Sequence, residues 1–256
     1  MNHRLERAKQ SGSGVAVVRG ARRAWAAFVD DWRRAPADAR RRWVSTLAVG
    51  LAACLVLSAA LTVLGMRADT AGALAWERDW LTALERRDRL SFHSALWLEG
   101  LGSSAMLMPL LVAAVAIAAL AGRSTRALLL LAAYVPAKML IFTGWSIWSR
   151  ARPDFIADGV AVPPSLHSYP SGHTLQTITV YGVLAWFWAR ASSSRVEQAI
   201  VWLLVAVLCA AVAVARLRLG THWPSDVLAG AVIGAAWLGV LIVAQRRFEE
   251  VGATRS

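Results

Sequence analysis

Six apolar runs dominate the chain, and most polar positions gather between them. Most of the runs approach the ~20 residues that a helix needs to cross ~30 Å of hydrocarbon. They lie at about 43–66, 104–121, 126–148, 174–190, 198–215 and 226–245. The pattern predicts an all-α protein, a polytopic membrane bundle of six transmembrane helices.

An amphipathic segment precedes the first apolar run. Trp25, Phe28 and Trp32 recur there at helical spacing, among many basic side chains. This pattern predicts a helix lying on an anionic membrane surface, and a solvated basic tail is the alternative. We therefore expect a basic N-terminal segment (1–42), a six-helix domain (43–248) and a short C-terminal tail (249–256).

Between the first two runs, segment 67–103 alternates charged with apolar positions. We interpret it as an outer interfacial segment of one or two helices, with Trp76, Trp80 and Trp97 as aromatic anchors. A packing role is the main interpretation, and a lid or lipid gate is the alternative.

Composition supports a membrane protein. Of the 256 residues, 57% are hydrophobic and 17% are charged, whereas soluble domains are typically ~25% charged. So apolar a chain is not expected to be disordered. Both cysteines, Cys54 and Cys209, lie within apolar runs, which argues against a disulfide framework or a cysteine-based zinc site.

The basic residues predict the orientation of the bundle. Eighteen of the 28 Lys and Arg residues lie in the N-terminal segment, the even-numbered loops or the C-terminal tail, and nine lie on the opposite side. Lys138 lies inside a predicted span. By the positive-inside rule the termini are cytoplasmic and the loops 67–103, 149–173 and 216–225 face outward. Topology accounts for the basic excess, so nucleic-acid binding is not expected.

Three polar clusters stand at the outer ends of the predicted spans: Arg152-Pro153, Pro170-Ser171-Gly172-His173, and the stretch from Arg216 through His222 to Asp226. Antiparallel helices would bring all three into one pocket. Ser171 can cap a helix and Gly172 permits close approach to its backbone, so this helix start favours an anion.

The side chains of these clusters suit phosphoryl transfer. Arg152 and Arg216 are forked donors for phosphate oxygens. Asp226, four residues after His222, could hold one imidazole nitrogen and leave the other free to attack. His173 could protonate the leaving oxygen. No third His or carboxylate completes a metal site, so we expect neither a metal nor a cofactor.

In order and spacing, these clusters resemble the motifs of the phosphatidic acid phosphatase type 2 superfamily, which also contains the vanadium-dependent haloperoxidases. The resemblance covers about 104–245. It implies that His222 is the nucleophile forming a phosphohistidine, that Asp226 orients it and that His173 is the general acid. The residues that would bind the phosphoryl oxygens are Arg152, Ser171, Gly172 and Arg216.

The chain departs from the family's first motif. The family has a lysine seven residues before the motif arginine, where this chain has Trp145. Arg150 and Arg218 are candidate accessory residues that could substitute for it, and Trp145 could line the pocket entrance. Lys138 would lie ~21 Å from Arg152 along an unbroken helix, too deep to serve, so helix packing and an unassigned functional role remain equally open. The third motif also has Ala215 in place of the usual serine.

The resemblance predicts a metal-independent membrane phosphatase of the bacterial-type cytoplasmic (inner) membrane, with its site facing the periplasm. It would hydrolyse a lipid phosphomonoester or diphosphate. Polyprenyl diphosphate, phosphatidic acid, phosphatidylglycerol phosphate and lipid A phosphate all fit. The alternatives are a lipid phosphotransferase, a catalytically weakened lipid-phosphate-binding relative or transporter, and a haloperoxidase, against which six spans argue.

Overall fold

The computed structural model describes residues 19, 20, 22–87, 90–163 and 165–253. Residues 1–18 and 21 of the predicted N-terminal segment lie outside the described residues, as do the last three residues of the predicted tail 249–256. Throughout the described ranges the regular structure is helical, without a strand. The helices are α1 (22–34), α2 (Ala37–Thr70), α3 (Trp76–Arg87), α4 (Phe92–Gly100), α5 (Ser104–Leu120), α6 (Ser124–Ile147), α7 (Gly172–Ala191), α8 (Arg195–Arg218) and α9 (Pro224–Ala253).

Local chemistry sets several of these boundaries. Ser91, Ser103 and Ser194 each accept a hydrogen bond from the backbone N–H three residues later, which caps α4, α5 and α8. Gly122 follows α5 and Gly220 follows α8, both with a φ of +63°. Because glycine has no Cβ, it adopts this left-handed conformation without strain.

The predicted all-α membrane bundle is confirmed. Helices α2, α5, α6, α7, α8 and α9 coincide with the six predicted apolar runs. Five helical stretches in the described chain are long and apolar enough to cross a membrane: Ala37–Thr70, Phe92–Leu120, Ser124–Ile147, Arg195–Arg218 and Pro224–Val251. Large apolar side chains such as Val49 and Val56 are 70% exposed, as expected for a surface that faces lipid.

Helix α7 is the exception among the six predicted spans. Its 20 residues would extend about 30 Å, but its most apolar stretch falls short of those in the five stretches given above. Its buried positions include Thr174, Gln176, Thr177 and Thr179. It packs against α6, α8 and α9, so these polar side chains face other helices. Helix α7, the central helix of this group, therefore brings several polar groups into the interior of the bundle.

Small residues let the helices approach one another closely. Gly50 of α2 lies against Val240 of α9, and a Cβ built on Gly234 would lie 3.0 Å from the carbonyl oxygen of Leu175 in α7. Such small-residue contacts are typical of packing between membrane helices. Helix α9 consequently holds both α2 and the central helix.

The outer segment 67–103 contains two helices, α3 and α4, and both pack against α8. Trp97 is 79% exposed, and Trp76 and Trp80 are also exposed. At the other end of the bundle, the Asp31 carboxylate of α1 accepts hydrogen bonds from the backbone N–H and the hydroxyl of Ser124. Helix α1 is thereby attached to the start of α6.

Candidate active site

The three polar clusters meet at one end of the bundle. The backbone N–H of Ser171 donates to the carbonyl of Asp226 over 2.9 Å, which ties the start of α7 to the first turn of α9. Arg152 donates to the carbonyl of Thr221, which ties the loop after α6 to the turn between α8 and α9. A Cβ on Gly230 would stand 2.5 Å from the carbonyl oxygen of Ser171, so this junction requires glycine.

His222 lies at the centre of this junction and is 2% exposed. Its Nε2 is 3.4 Å from Nη1 of Arg152. Its Nδ1 is 3.5 Å from Oδ2 of Asp226, just beyond a good hydrogen bond. The same Oδ2 accepts the backbone N–H of Trp223 over 2.8 Å. The aspartate therefore closes the first turn of α9 and stands beside the imidazole.

Burial, together with the charges of Arg216 and Arg152, lowers the pKa of His222 well below its usual value near 6.5. Burial disfavours the charged imidazolium, and two nearby guanidinium groups disfavour it further. The ring is therefore neutral at pH 7. A neutral imidazole has a free lone pair and is a competent nucleophile.

The guanidinium of Arg152 is fixed by backbone oxygens. Nε donates to Leu166 over 2.8 Å and Nη2 donates to His167 over 3.0 Å. Among the described residues, no carboxylate oxygen lies within 4 Å of it. Burial and the charge of Arg216 lower the pKa of Arg152 to about 10, so it remains charged at pH 7. Arg152 thus presents a rigid positive charge beside Nε2 of His222.

Arg216 has a carboxylate partner, because its Nη1 donates to Glu99 of α4. Its Nε is buried and has no hydrogen-bond partner within the described chain. Glu99 therefore pairs with one N–H group of the guanidinium, while the Nε–H group still lacks an acceptor.

The start of α7 differs in one detail from the predicted cap. Ser171 stands at the N-cap position, but its hydroxyl caps no backbone N–H and accepts the Thr174 hydroxyl over 3.1 Å. The first-turn N–H groups of a helix have no partner within that helix, so those of α7 remain available to an anion. Gly172 packs on α6, where a Cβ would stand 3.1 Å from Ile141.

His173, the second residue of α7, is half-buried. Four basic side chains lie near it: Arg216, His222, Lys138 and Arg152. The site therefore brings two imidazoles and several cations together around the start of α7.

Arg150, a predicted accessory residue, points to carboxylates. Its Nη1 donates to Asp226 and its Nη2 to Glu77, each over 2.5 Å. Burial opposes its charge, but Asp226 and Glu77 raise the pKa of Arg150 above its ordinary value. The guanidinium also lies over the rings of Trp148 and Trp223. Arg150 thus supports the carboxylate that stands beside His222.

The other accessory candidates lie around the site. Arg218 is 3.9 Å from Asp158 and donates to the carbonyl of Leu90. The Trp145 ring meets His167 edge to face, with centroids 6.3 Å apart. A cavity of about 540 Å³ beside these residues is lined by loop positions including Arg152 and His167. The cavity gives access to Arg152 through the loop between α6 and α7.

Sequence reasoning did not single out two carboxylates of the outer segment. Glu77 is fully buried, and it accepts the backbone N–H of Ser225 over 2.7 Å as well as Arg150. Glu99 pairs with Arg216. Only the general rule that buried arginines need partners could have suggested them, and the segment 67–103 offers several other acidic residues.

No group of three or more His, Cys, Asp or Glu side chains in the described ranges is arranged to hold a metal ion. The polar atoms that converge on the site are donors from arginine, from the backbone at the start of α7 and from histidine. That donor set suits an oxyanion.

Comparison with known proteins finds a family likeness over the second half of the chain. The PAP2 superfamily matches residues 126–250, which include α7, α8 and nearly all of α6 and α9. We call this stretch, just under half of the 256 residues, the PAP2 region. The clusters from Arg152 to Asp226 all lie within this PAP2 region.

A sequence comparison and a structure comparison both lead to Bacillus subtilis. Phosphatidylglycerophosphatase B of strain 168 is 31% identical over 137 residues, which are 52% of this chain and 65% of that protein's length. The crystal structure described as a transmembrane PAP2 type phosphatidylglycerolphosphate phosphatase matches with a TM-score of 0.64 and 24% identity. It covers 79% of this chain and 96% of that one. The likeness to this crystal structure supports the fold described above.

Proposed function

We propose that this protein is a membrane lipid phosphatase that hydrolyses a lipid phosphomonoester or diphosphate through a phosphohistidine on His222. One observation carries the proposal. Nε2 of a buried, neutral imidazole faces Arg152, whose charge no described carboxylate neutralises. A phosphoryl group bound to that guanidinium would place its phosphorus within reach of the nitrogen lone pair.

In the first step Nε2 of His222 attacks phosphorus, and a P–N bond forms as the bond to the lipid oxygen breaks. The negative charge of the bound phosphate offsets the surrounding cations and favours the protonated form of His173, which then donates its proton to the leaving oxygen. Arg152, Nε of Arg216 and the N–H groups at the start of α7, from Gly172 onward, stabilise the charge on the equatorial oxygens.

In the second step water attacks phosphorus and the P–N bond breaks. His173, now neutral, takes the proton from water, and inorganic phosphate leaves. Asp226 holds the His222 ring in place, and Arg150 and Glu77 hold Asp226. No step requires a metal.

The names of the relatives favour phosphatidylglycerol phosphate among the four lipids that fit the sequence. The distribution of Lys and Arg supports a site on the outward face of a bacterial cytoplasmic membrane, with cytoplasmic termini.

A phosphate-release screen tests the activity. Purified protein in detergent micelles would be given polyprenyl diphosphate, phosphatidic acid, phosphatidylglycerol phosphate and a lipid A phosphate. We expect inorganic phosphate from at least one lipid, an unchanged rate with EDTA, and inhibition by vanadate. A His93→Ala variant, which alters an exposed histidine of α4, serves as the control. The proposal fails if no lipid releases phosphate, and metal independence fails if EDTA stops the reaction.

A second prediction concerns the protonation of His222. Because its pKa lies well below 6.5, the ring takes up a proton only as the pH falls through that lower value, and it stays neutral between pH 6 and 8. Histidine-labelled NMR of the free protein measures this directly, with the His222→Gln variant identifying the resonance. A ring that titrates at pH 6.5 or above would contradict the electrostatic account of this site.

A further inference from the structure

A second polar cluster lies next to the candidate site, one turn further along α7. Lys138 of α6 donates from Nζ to Oε1 of Gln176 in α7 over 3.1 Å and to the hydroxyl of Ser104 in α5 over 3.2 Å. The Tyr134 hydroxyl donates to the same serine over 2.9 Å, and Nζ lies 5.2 Å from the centre of the Tyr134 ring. We call these four residues the Lys138 cluster.

Every recorded partner of the Lys138 ammonium is electrically neutral. In the described part of the chain, no carboxylate oxygen lies within 4 Å of Nζ. A lysine within a membrane helix is costly, and such residues pair with a counter-charge or mark a substrate path. Lys138 instead contacts a hydroxyl, an amide oxygen and an aromatic ring, none of which carries a negative charge.

Gln176 provides an independent sign of a missing ligand. Its side chain is 3% exposed, and its Nε2 has no hydrogen-bond partner among the described residues. A buried amide N–H without an acceptor is destabilising. Oε1 accepts from Lys138, so the amide N–H groups lack an acceptor beside a cation that lacks a counter-charge. One oxyanion could accept hydrogen bonds from both the amide and the ammonium group.

The cluster lies close to the predicted chemistry. Helices α6 and α7 run antiparallel, with Gly172 against Ile141 and Gln176 against Lys138. Gln176 therefore follows His173 by about one turn, a rise of ~5 Å. The charge of Lys138 acts on His173. Ser104 is exposed at the start of α5, so the cluster is reached from the surface between α5 and α6.

We propose that Lys138 and Gln176 bind a second phosphorus oxyanion of the substrate, on the lipid side of the bond that is cleaved. The inference rests on the proposed phosphatase function and specifies its substrate class. The preferred lipids carry two phosphorus groups, either a phosphomonoester joined through a short linker to a phosphodiester, or a diphosphate. A lipid with a single phosphate, such as phosphatidic acid, would leave the Lys138 cluster empty.

Binding measured without turnover tests this assignment. In a His222→Ala background, dissociation constants would be measured in detergent micelles for radiolabelled phosphatidylglycerol phosphate, polyprenyl diphosphate and phosphatidic acid. We expect the added Lys138→Met change to weaken binding of at least one lipid with two phosphorus groups by about 10-fold or more, and of phosphatidic acid by less than about 2-fold. Lys138→Arg should retain most of the preference.

Two further variants separate binding from folding. Gln176→Glu supplies an internal counter-ion to Lys138 and should lower affinity for the same lipid while the melting temperature is kept. Arg126→Met removes a cation from the opposite end of α6, and it should leave the affinity for all three lipids unchanged. Equal weakening for all three lipids, or no weakening, overturns the assignment. Because these measurements need no catalysis, a failure of phosphate release by the wild type would count against the proposed function alone.

Discussion

Replacing His222 by alanine is expected to lower phosphate release by at least about 10⁴-fold. The variant lacks the nitrogen that would attack phosphorus, and loss of a covalent nucleophile has effects of this size in other enzymes. The fold should change little, because Asp226 keeps its bonds to Arg150 and to the backbone N–H of Trp223 when the ring is removed. Initial rates of phosphate release and a thermal melting curve measure the two effects.

The covalent intermediate provides a second readout for this prediction. Brief exposure of the wild type to substrate labelled on the scissile phosphate should place the label on His222, located by mass spectrometry of the peptides. His93→Ala should label normally, and His222→Ala should not label. A His222→Ala protein with wild-type turnover would show that another group attacks phosphorus.

Glu77→Gln is expected to reduce both stability and activity. The Glu77 carboxylate is fully buried, and it accepts from Arg150 and from the backbone of Ser225. The amide keeps an acceptor but loses the charge, so the buried guanidinium is only partly neutralised. Loss of one partner of a buried ion pair costs about 3–5 kcal/mol. We expect the melting temperature to fall by about 10 °C and phosphate release to fall by about 10-fold or more.

The activity loss follows from the position of Arg150 between Glu77 and Asp226. Without Glu77, the guanidinium can reorient, and Asp226 no longer holds a fixed place beside His222. Asp79→Asn is the matched control, since it removes a carboxylate from an exposed position of the same helix. If Glu77→Gln melts and turns over like Asp79→Asn, Glu77 has no part in positioning the site.

The bundle could be predicted from the sequence because lipid-facing helices need long apolar runs. Helix α7 shows the limit of that signal. Its threonines and Gln176 lower its apolar character, and only the neighbouring helices make it a buried element. The Ser171 hydroxyl shows a second limit, because the residue type predicts a cap while the local geometry directs Thr174 to that oxygen.

Long-range pairing could not be predicted in the same way. Glu77 and Arg150 are 73 residues apart, and Glu99 and Arg216 are 117 apart, so no local pattern links either pair. Along α6 alone, Lys138 lies ~21 Å from Arg152. Helix α7 returns alongside α6 and brings Gln176 to Lys138, which no pattern within α6 predicts.

The two glutamates also constrain how the outer helices can be re-engineered. A chimera that grafted another protein's residues 67–103 onto this bundle would remove Glu77 and Glu99. In a poorly hydrated interior, Arg216 would lose its carboxylate partner and Arg150 would keep only Asp226. Any functional transplant would have to carry an acidic side chain at both places, or exchange the arginines along with the segment.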